Sequence, residues 1–374
     1  MKDKDLKEIT DQVNSINKLL DDIGRDFNFS REFNQQIIND TIYDMTGVKP
    51  ESTEGMNAAD IMNVAGLSPG AAKSQTADAP KEAQASEESA EAEEEDPRTL
   101  EELLSEMDEL VGLTTVKEDV RTLINFLKVS KLREEEGLAK ATMSNHLVFT
   151  GNPGTGKTTI ARMLAGIYKK MGLLSKGQLI EADRSSLVAG YSGQTAIKTQ
   201  EVIQSALGGV LFIDEAYALN NDEQDAFGRE SIETILKGME DHRDDLVVIV
   251  AGYTDLMHKF IDSNPGLSSR FGKYFEFPDY TGDEMSSLFS IFCKKNGYVM
   301  DEDLSGYLSG EFDRLHEEKA ENFGNARTVR NVFEKSIANH ANRIAALENP
   351  AKHDLELLTK ADIEAAIAAE AAKL

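Results

Sequence analysis

The sequence predicts an α/β fold with a mostly parallel five-stranded sheet, an all-helical C-terminal region, and a separate small helical domain in front. Three observations lead there. The stretch Leu147-Val-Phe-Thr-Gly151-Asn-Pro-Gly-Thr-Gly156-Lys157-Thr158 reads as a strand, a glycine loop and the start of a helix. Downstream, short apolar runs alternate with segments of helical spacing, as parallel strands joined by helical crossovers do. Between residues 68 and 97 the chain is almost empty of large apolar side chains, which sets the N-terminal segment apart from the α/β region.

Taken in order, Leu6, Ile9, Val13, Ile16, Leu20, Ile23 and Phe27 recur at spacings of three and four, which predicts a helix with one narrow apolar seam. Phe33, Ile37, Ile38, Ile42 and Met45 continue with helical spacing, and a third short helix is expected around Ile61 and Val64. Residues 1–67 are therefore expected to form a small helical domain for partner binding or self-association. Residues 68–97 end in Glu91-Ala-Glu-Glu-Glu-Asp96 and cannot bury enough surface to offset their ordering entropy, so a disordered acidic linker is expected. Residues 98–280 carry the α/β pattern. Val120, Leu123, Ile124 and Leu127 mark a helix before the glycine loop, and Ile160, Met163, Leu164 and Ile167 mark one after it. Further strands are expected at Gln178–Ala182, Gly209–Ile213, Leu246–Ala251 and Tyr274–Phe277, with helices between them. From Gly282 to the end, residues 281–374 show only helical spacing, closing on the helix-forming run that starts at Asp362.

The chemistry starts at the glycine loop. Gly151, Gly154 and Gly156 carry no Cβ, so backbone N–H groups can turn inward around a polyphosphate, and the helix beyond them adds its positive dipole end. Lys157 would reach the β- and γ-phosphates, and the Thr158 hydroxyl would sit on Mg²⁺. The second half of the site is the apolar strand that ends in Asp214-Glu215. Asp214 can join the Mg²⁺ shell while Glu215 orients and deprotonates an attacking water. Phosphoryl transfer needs positioning and charge stabilisation more than covalent help, so an arginine is expected near the γ-phosphate.

Composition narrows the partners. The formal charge of -27 is shared by both sides of the linker and opposes the counterion-releasing grip that nucleic acid requires. A single cysteine, Cys293, excludes an internal disulfide framework, and the six histidines show no ligand spacing, which argues against structural zinc. The chain shows neither a signal peptide nor a membrane-spanning apolar run, so a cytoplasmic protein without membrane insertion is expected. The N-K-x-D signature that guanine recognition would bring is absent.

Four segments together resemble an AAA+ ATPase: Gly151-Asn-Pro-Gly-Thr-Gly-Lys-Thr158, Leu211-Phe-Ile-Asp-Glu-Ala-Tyr217, Ser263-Asn-Pro-Gly-Leu-Ser-Ser-Arg270 and Gly324-Asn-Ala-Arg327. The similar branch is that of stage V sporulation protein K and the red-lineage, CbbX-like Rubisco activases, with the EccA-type secretion ATPases close by. The resemblance spans about Leu100 to Ile344. It implies that the C-terminal helices form a lid, that Val111-Gly112 meets adenine, and that Asn152, Pro153, Gly154, Thr155, Gly156, Lys157, Thr158 and Thr159 hold ATP. It also implies that Arg270 is an arginine finger entering a neighbouring subunit's site and that Arg327 is a lid arginine contacting the γ-phosphate, with Arg330 a second candidate. Tyr191-Ser192-Gly193 matches the first pore loop, and Leu219–Gly228 is a candidate for a second. The branch's Ala251-Gly252-Tyr253 run replaces the polar sensor that many relatives carry after the fourth strand, and no single residue takes that role from the sequence.

The resulting expectation is a Mg-dependent, ATP-hydrolysing protein remodeller that assembles as a homo-oligomer, a hexamer, and pulls on a protein substrate through its pore loops. The alternative is an ATP-gated scaffold or switch that threads nothing. A nucleic-acid motor fits the acidic charge less well than either.

Overall fold

The structure is a computed structural model of the 374-residue chain. It describes residues 96–373 apart from 140–143, 192, 221–224, 302 and 319–322. The expected helical domain at 1–67 and the linker up to residue 95 lie outside the described residues. Asp96, the next linker position, is tied down: its carboxylate accepts from Arg98 and its carbonyl from Lys170 Nζ, 2.9 Å away.

Helices α1 (Leu100–Glu109) and α2 (Thr114–Glu135) precede the sheet, and α1 begins with a capping box between Thr99 and Glu102. The α/β region then runs β1 (Leu147–Gly151), α3 (Lys157–Lys170), β2 (Leu179–Ala182), α4 (Arg184–Leu187), α5 (Thr195–Ala206), β3 (Val210–Ile213), a 3₁₀ turn (Ala216–Asn220) and α6 (Ala226–Asp241). It closes with β4 (Val247–Gly252), α7 (Thr254–Asp262), α8 (Pro265–Arg270) and β5 (Tyr274–Phe277).

All five strands are parallel, in the order β2-β3-β4-β1-β5. Central strands β1, β3 and β4 are buried throughout, as continuous apolar runs covered on both faces should be. Edge strand β5 instead alternates, exposing Tyr274 and Glu276 and burying Phe275 and Phe277. Successive strand residues serve opposite cores. Phe149, Phe212, Ile249 and Phe275 pack with α1, α2 and α3 on one face. Val148, Leu211, Val248 and Val250 pack with α5, α6 and α7 on the other. Just before β1, His146 is buried, and its Nδ1 accepts the Val248 N–H at 3.0 Å. Burial, with the Arg270 charge adding to it, pushes its imidazole down to about 4, so it stays a neutral acceptor at pH 7.

The C-terminal region comprises α9 (Gly282–Lys295), β6 (Val299–Met300), α10 (Leu304–Glu318), α11 (Ala326–Ala345), α12 (Lys352–Glu356), β7 (Leu357–Leu358) and α13 (Lys360–Ala371). The all-helical expectation is corrected here, because β6 and β7 pair in parallel. Two-residue strands leave no periodicity to read. This region is not a detached module, since Met285, Phe289, Phe312 and Val332 continue the core that covers one face of the sheet. Cys293 lies buried in α9, and burial pushes its thiol up to about 12, away from thiolate chemistry.

Candidate nucleotide site

A cleft of about 450 Å³ opens where the C-terminal ends of β1, β3 and β4 meet the helical region. The phosphate loop forms its floor. Gly151, Gly154 and Gly156 all have positive φ, at +144°, +73° and +96°. A Cβ on Gly154 would come within 2.3 Å of the Gly324 carbonyl oxygen and 2.9 Å of Arg327 N, so glycine is required here by both backbone angle and space. Gly156 is the N-cap of α3 and supplies no side-chain cap. The first N–H groups of α3 therefore face the cleft without a side-chain partner, as anion binding requires.

Lys157 begins α3 and folds back, donating to the carbonyls of Gly151 at 2.8 Å and Asn152 at 2.7 Å. Burial pushes its ammonium down to about 8, with Asp214 and Asp279 pulling it partly back up and Arg327 adding to the fall. Asp214 and Glu215 come directly after β3, and both line the cleft. Glu215 holds φ at +48°, and its N–H is received by Asp214 Oδ1 at 3.0 Å. A non-glycine residue in this region stores strain of order 1 kcal/mol, the kind that concentrates at sites where a side chain must be aimed.

The cleft lining includes Val111, Pro153, Gly154, Gly156, Lys157, Thr158, Thr159, Asp214, Glu215, Arg327 and Arg330, which joins residues that are 219 positions apart in the chain. Other expected site residues sit beside it. Gly112, at φ +61°, packs against Glu284 and Tyr280, and so sets the backbone that presents Val111. Asn152 turns its amide to Asp279, and the buried Thr155 hydroxyl donates to Asn152 O at 2.8 Å.

Two expected residues are not brought to this cleft at all. Arg270 ends α8, a helix capped by Asn264 with Pro265 in its first turn, which is what the Asn-Pro-Gly run accomplishes structurally. Its guanidinium pairs with Glu240 at 3.2 Å on the surface. Tyr191 lies between α4 and α5 and is 75% exposed; Gly193 beside it has φ +82°, and Ser192 is outside the described residues. The same stretch of chain does approach the carboxylates, since Val188, Ala189 and Gly190 wall a second hollow with Asp214 and Glu215. Of the candidate second loop, Leu219 is buried in the 3₁₀ turn, residues 221–224 are outside the described residues, and Gly228 is buried in α6.

The structure adds residues that the sequence did not single out. Leu110, Leu113, Tyr280, Leu288 and Phe292 give one end of the cleft an apolar wall suited to a base, made jointly by the α1–α2 turn and α9. Tyr253 lines the cleft after β4; burial pushes its hydroxyl above the usual tyrosine range, with the Glu215 and Asp214 carboxylates adding to the rise and Arg327 opposing it. Asp279 and Asn325 bind the phosphate loop from outside. The Gly324-Asn-Ala-Arg327 run hinted at Asn325 and the Ala251-Gly252-Tyr253 run at Tyr253; the others left no signal in the sequence.

Residues 147–279 match the family described as ATPase family associated with various cellular activities, and residues 281–373 match the AAA lid domain. The chain is 42% identical over 262 residues to the chloroplastic ribulose bisphosphate carboxylase/oxygenase activase of Cyanidioschyzon merolae, covering 70% of this chain and 89% of that protein. It is 43% identical over 249 residues to protein CbbX of Cereibacter sphaeroides, covering 65% of this chain and 79% of the relative. Among solved structures, the FIGL-1 AAA domain aligns with a TM-score of 0.50 at 16% identity, covering 70% of this chain and 82% of that one, a likeness of fold.

Proposed function

The chain belongs to the AAA ATPases, with an ATPase domain and its lid, and is related to the red-lineage Rubisco activases and CbbX; from that membership we propose that it works as a hexameric ring in which ATP hydrolysis drives Tyr191 against a protein substrate. The observation that carries this reading is the placement of Arg270. It stands outside its own chain's cleft, in an exposed ion pair with Glu240 that is worth at most about 1 kcal/mol and is readily exchanged. A role at a phosphate therefore falls to the cleft of a neighbouring copy, which makes assembly a condition of activity.

Within one cleft the chain's own residues divide the work. The uncapped N–H groups of α3 and the Lys157 ammonium hold the phosphates, with Lys157 leaving the Gly151 and Asn152 carbonyls for phosphate oxygens. Glu215 takes a proton from water as the water oxygen bonds to the γ-phosphorus and the bond from that phosphorus to the β-phosphate bridging oxygen breaks. Arg327 from the lid and Arg270 from the neighbour stabilise the charge on the departing groups. Thr158 and Asp214 would hold Mg²⁺, which supplies charge neutralisation at the phosphates when bound. Their oxygen donors suit that ion. Among the described residues no cluster of three or more His, Cys, Asp or Glu side chains could hold a metal, so this cation would share its shell with the nucleotide.

Among the described residues no helix is long and apolar enough to cross a membrane. We place the protein in the cytoplasm, with residues 1–67 as the segment that selects the client or an adaptor.

The test is a substrate trap. Glu215→Gln binds ATP without turnover, so a client should be retained with ATP and released with ADP, and lost when Tyr191→Ala is added. Mixing Arg270→Ala subunits with Lys157→Ala subunits should restore part of the ATPase activity, because a Lys157→Ala subunit can supply Arg270 to the intact cleft of an Arg270→Ala neighbour. Full ATPase activity of Arg270→Ala in the assembled state would overturn the shared site. A Tyr191→Ala protein that still acts on its client would favour a nucleotide-gated switch.

A further inference from the structure

We propose that Asp279 and Asn325 are a positioning pair that locks the lid to the phosphate loop and thereby sets where Arg327 meets the nucleotide. The inference rests on Arg327 being the lid residue that contacts phosphate, and it names what places it.

Asp279, in the turn between β5 and α9, gathers three parts of the molecule. Asn152 of the phosphate loop donates its amide to both carboxylate oxygens, at 3.0 and 2.9 Å. Asn325, immediately before α11, donates to Oδ1 at 2.7 Å. His316 of α10 brings Nε2 within 3.1 Å of Oδ2. A carboxylate that accepts from two amides makes charge-assisted hydrogen bonds, which are stronger than those between neutral groups.

Asn325 is the better-held partner. It is fully buried and sits at φ +48°, a conformation a non-glycine residue keeps only when its surroundings fix it. Its side chain supplies the fixing. Oδ1 accepts the Tyr280 N–H at 2.9 Å, and Nδ2 also lies 3.1 Å from Phe323 O and 3.3 Å from Pro153 O in the phosphate loop. One residue later, Ala326 donates its N–H to Gly154 O at 3.2 Å. One more step reaches Arg327, whose backbone nitrogen abuts Gly154 so closely that a single Cβ there would overlap it. Asn325 thus fixes the first turn of α11 against the loop that holds the phosphates, and Arg327 projects from that turn into the cleft.

Asp279→Asn keeps the size of the side chain and replaces an acceptor oxygen with an amide donor facing the amides of Asn152 and Asn325. The expected result is a fall in kcat of about tenfold with a smaller change in KM for ATP, because the interaction affected is made chiefly in the transition state. A fall of this kind could also come from general loosening, so the deciding measurement is a double-mutant cycle. In an Arg327→Ala background, Asp279→Asn should leave kcat unchanged. Equal fold losses in both backgrounds would overturn the proposal. An Arg327→Ala protein with full ATPase activity would remove the premise itself, which is a different result from additivity. If Asp279→Asn lacks a cooperative thermal transition, His316→Ala removes another partner of the same carboxylate without touching the phosphate loop, and its cycle with Arg327→Ala is judged in the same way.

Discussion

The phosphate loop after β1 and the Tyr191 loop, which comes after β2 and the short α4, look alike in sequence, since each places glycines around polar or aromatic residues. Their surroundings are opposite. At Gly154 a Cβ would collide with backbone of the lid, whereas at Gly190 and Gly193 it would meet nothing within 4 Å among the described atoms. Lys157 is half-buried and donates to two backbone carbonyls, while Tyr191 stands in solvent. In one loop glycine permits close approach, and in the other it permits freedom. The first loop packs against the lid of its own chain; the second leaves the Tyr191 ring in solvent.

Substitutions can break or sharpen this contrast. The largest effect is expected from Gly154→Ala, which meets both a left-handed backbone angle that costs alanine about 1 kcal/mol and the Gly324 carbonyl. ATP affinity should fall about a hundredfold, roughly 2.7 kcal/mol, as read by calorimetry. Near-normal affinity would mean that the lid does not sit on this loop in solution.

A pH titration comes next. The free Lys157 ammonium titrates near 8, and a bound polyphosphate raises that value. Affinity is therefore complete below about pH 8 and drops up to about tenfold per unit above it, until the bound-state value is passed. The dissociation constant of a non-hydrolysable ATP analogue from pH 7 to 10 would show that slope, and Lys157→Arg should flatten it. A smaller effect is expected at Gly193, whose φ of +82° costs alanine about 1 kcal/mol despite the open space. Gly193→Ala should bind ATP normally and lower any client-stimulated rate by only a few fold. Gly190→Ala, with space around it and an unremarkable φ, should leave both the thermal midpoint and ATP affinity unchanged within error. A large loss at Gly190 would show that the Tyr191 loop is packed rather than free.

Much of the molecule is readable along the chain because the signals are local. The strand, glycine loop and helix at Leu147–Lys170 share one stretch of sequence, and Asp214-Glu215 ends an apolar run that only a buried strand explains. The five strands of the main sheet are legible because each is long enough to interrupt helical spacing, while β6 and β7 are not because each is two residues long. The edge character of β5 is likewise present in its alternation of Tyr274, Phe275, Glu276 and Phe277.

The sequence by itself therefore determined the nucleotide chemistry and the class of fold, since the phosphate grip and the apolar strands are written in consecutive residues. The tertiary structure alone decided that Asp279 gathers Asn152, Asn325 and His316, that Tyr280 and Phe292 wall the cleft, and that Arg327 arrives at Gly154 while Arg270 does not. Those relations join residues from tens to nearly two hundred positions apart. Hydrogen-bond partners at such separations are chosen by how the sheet and the lid close on each other, and no local spacing encodes that.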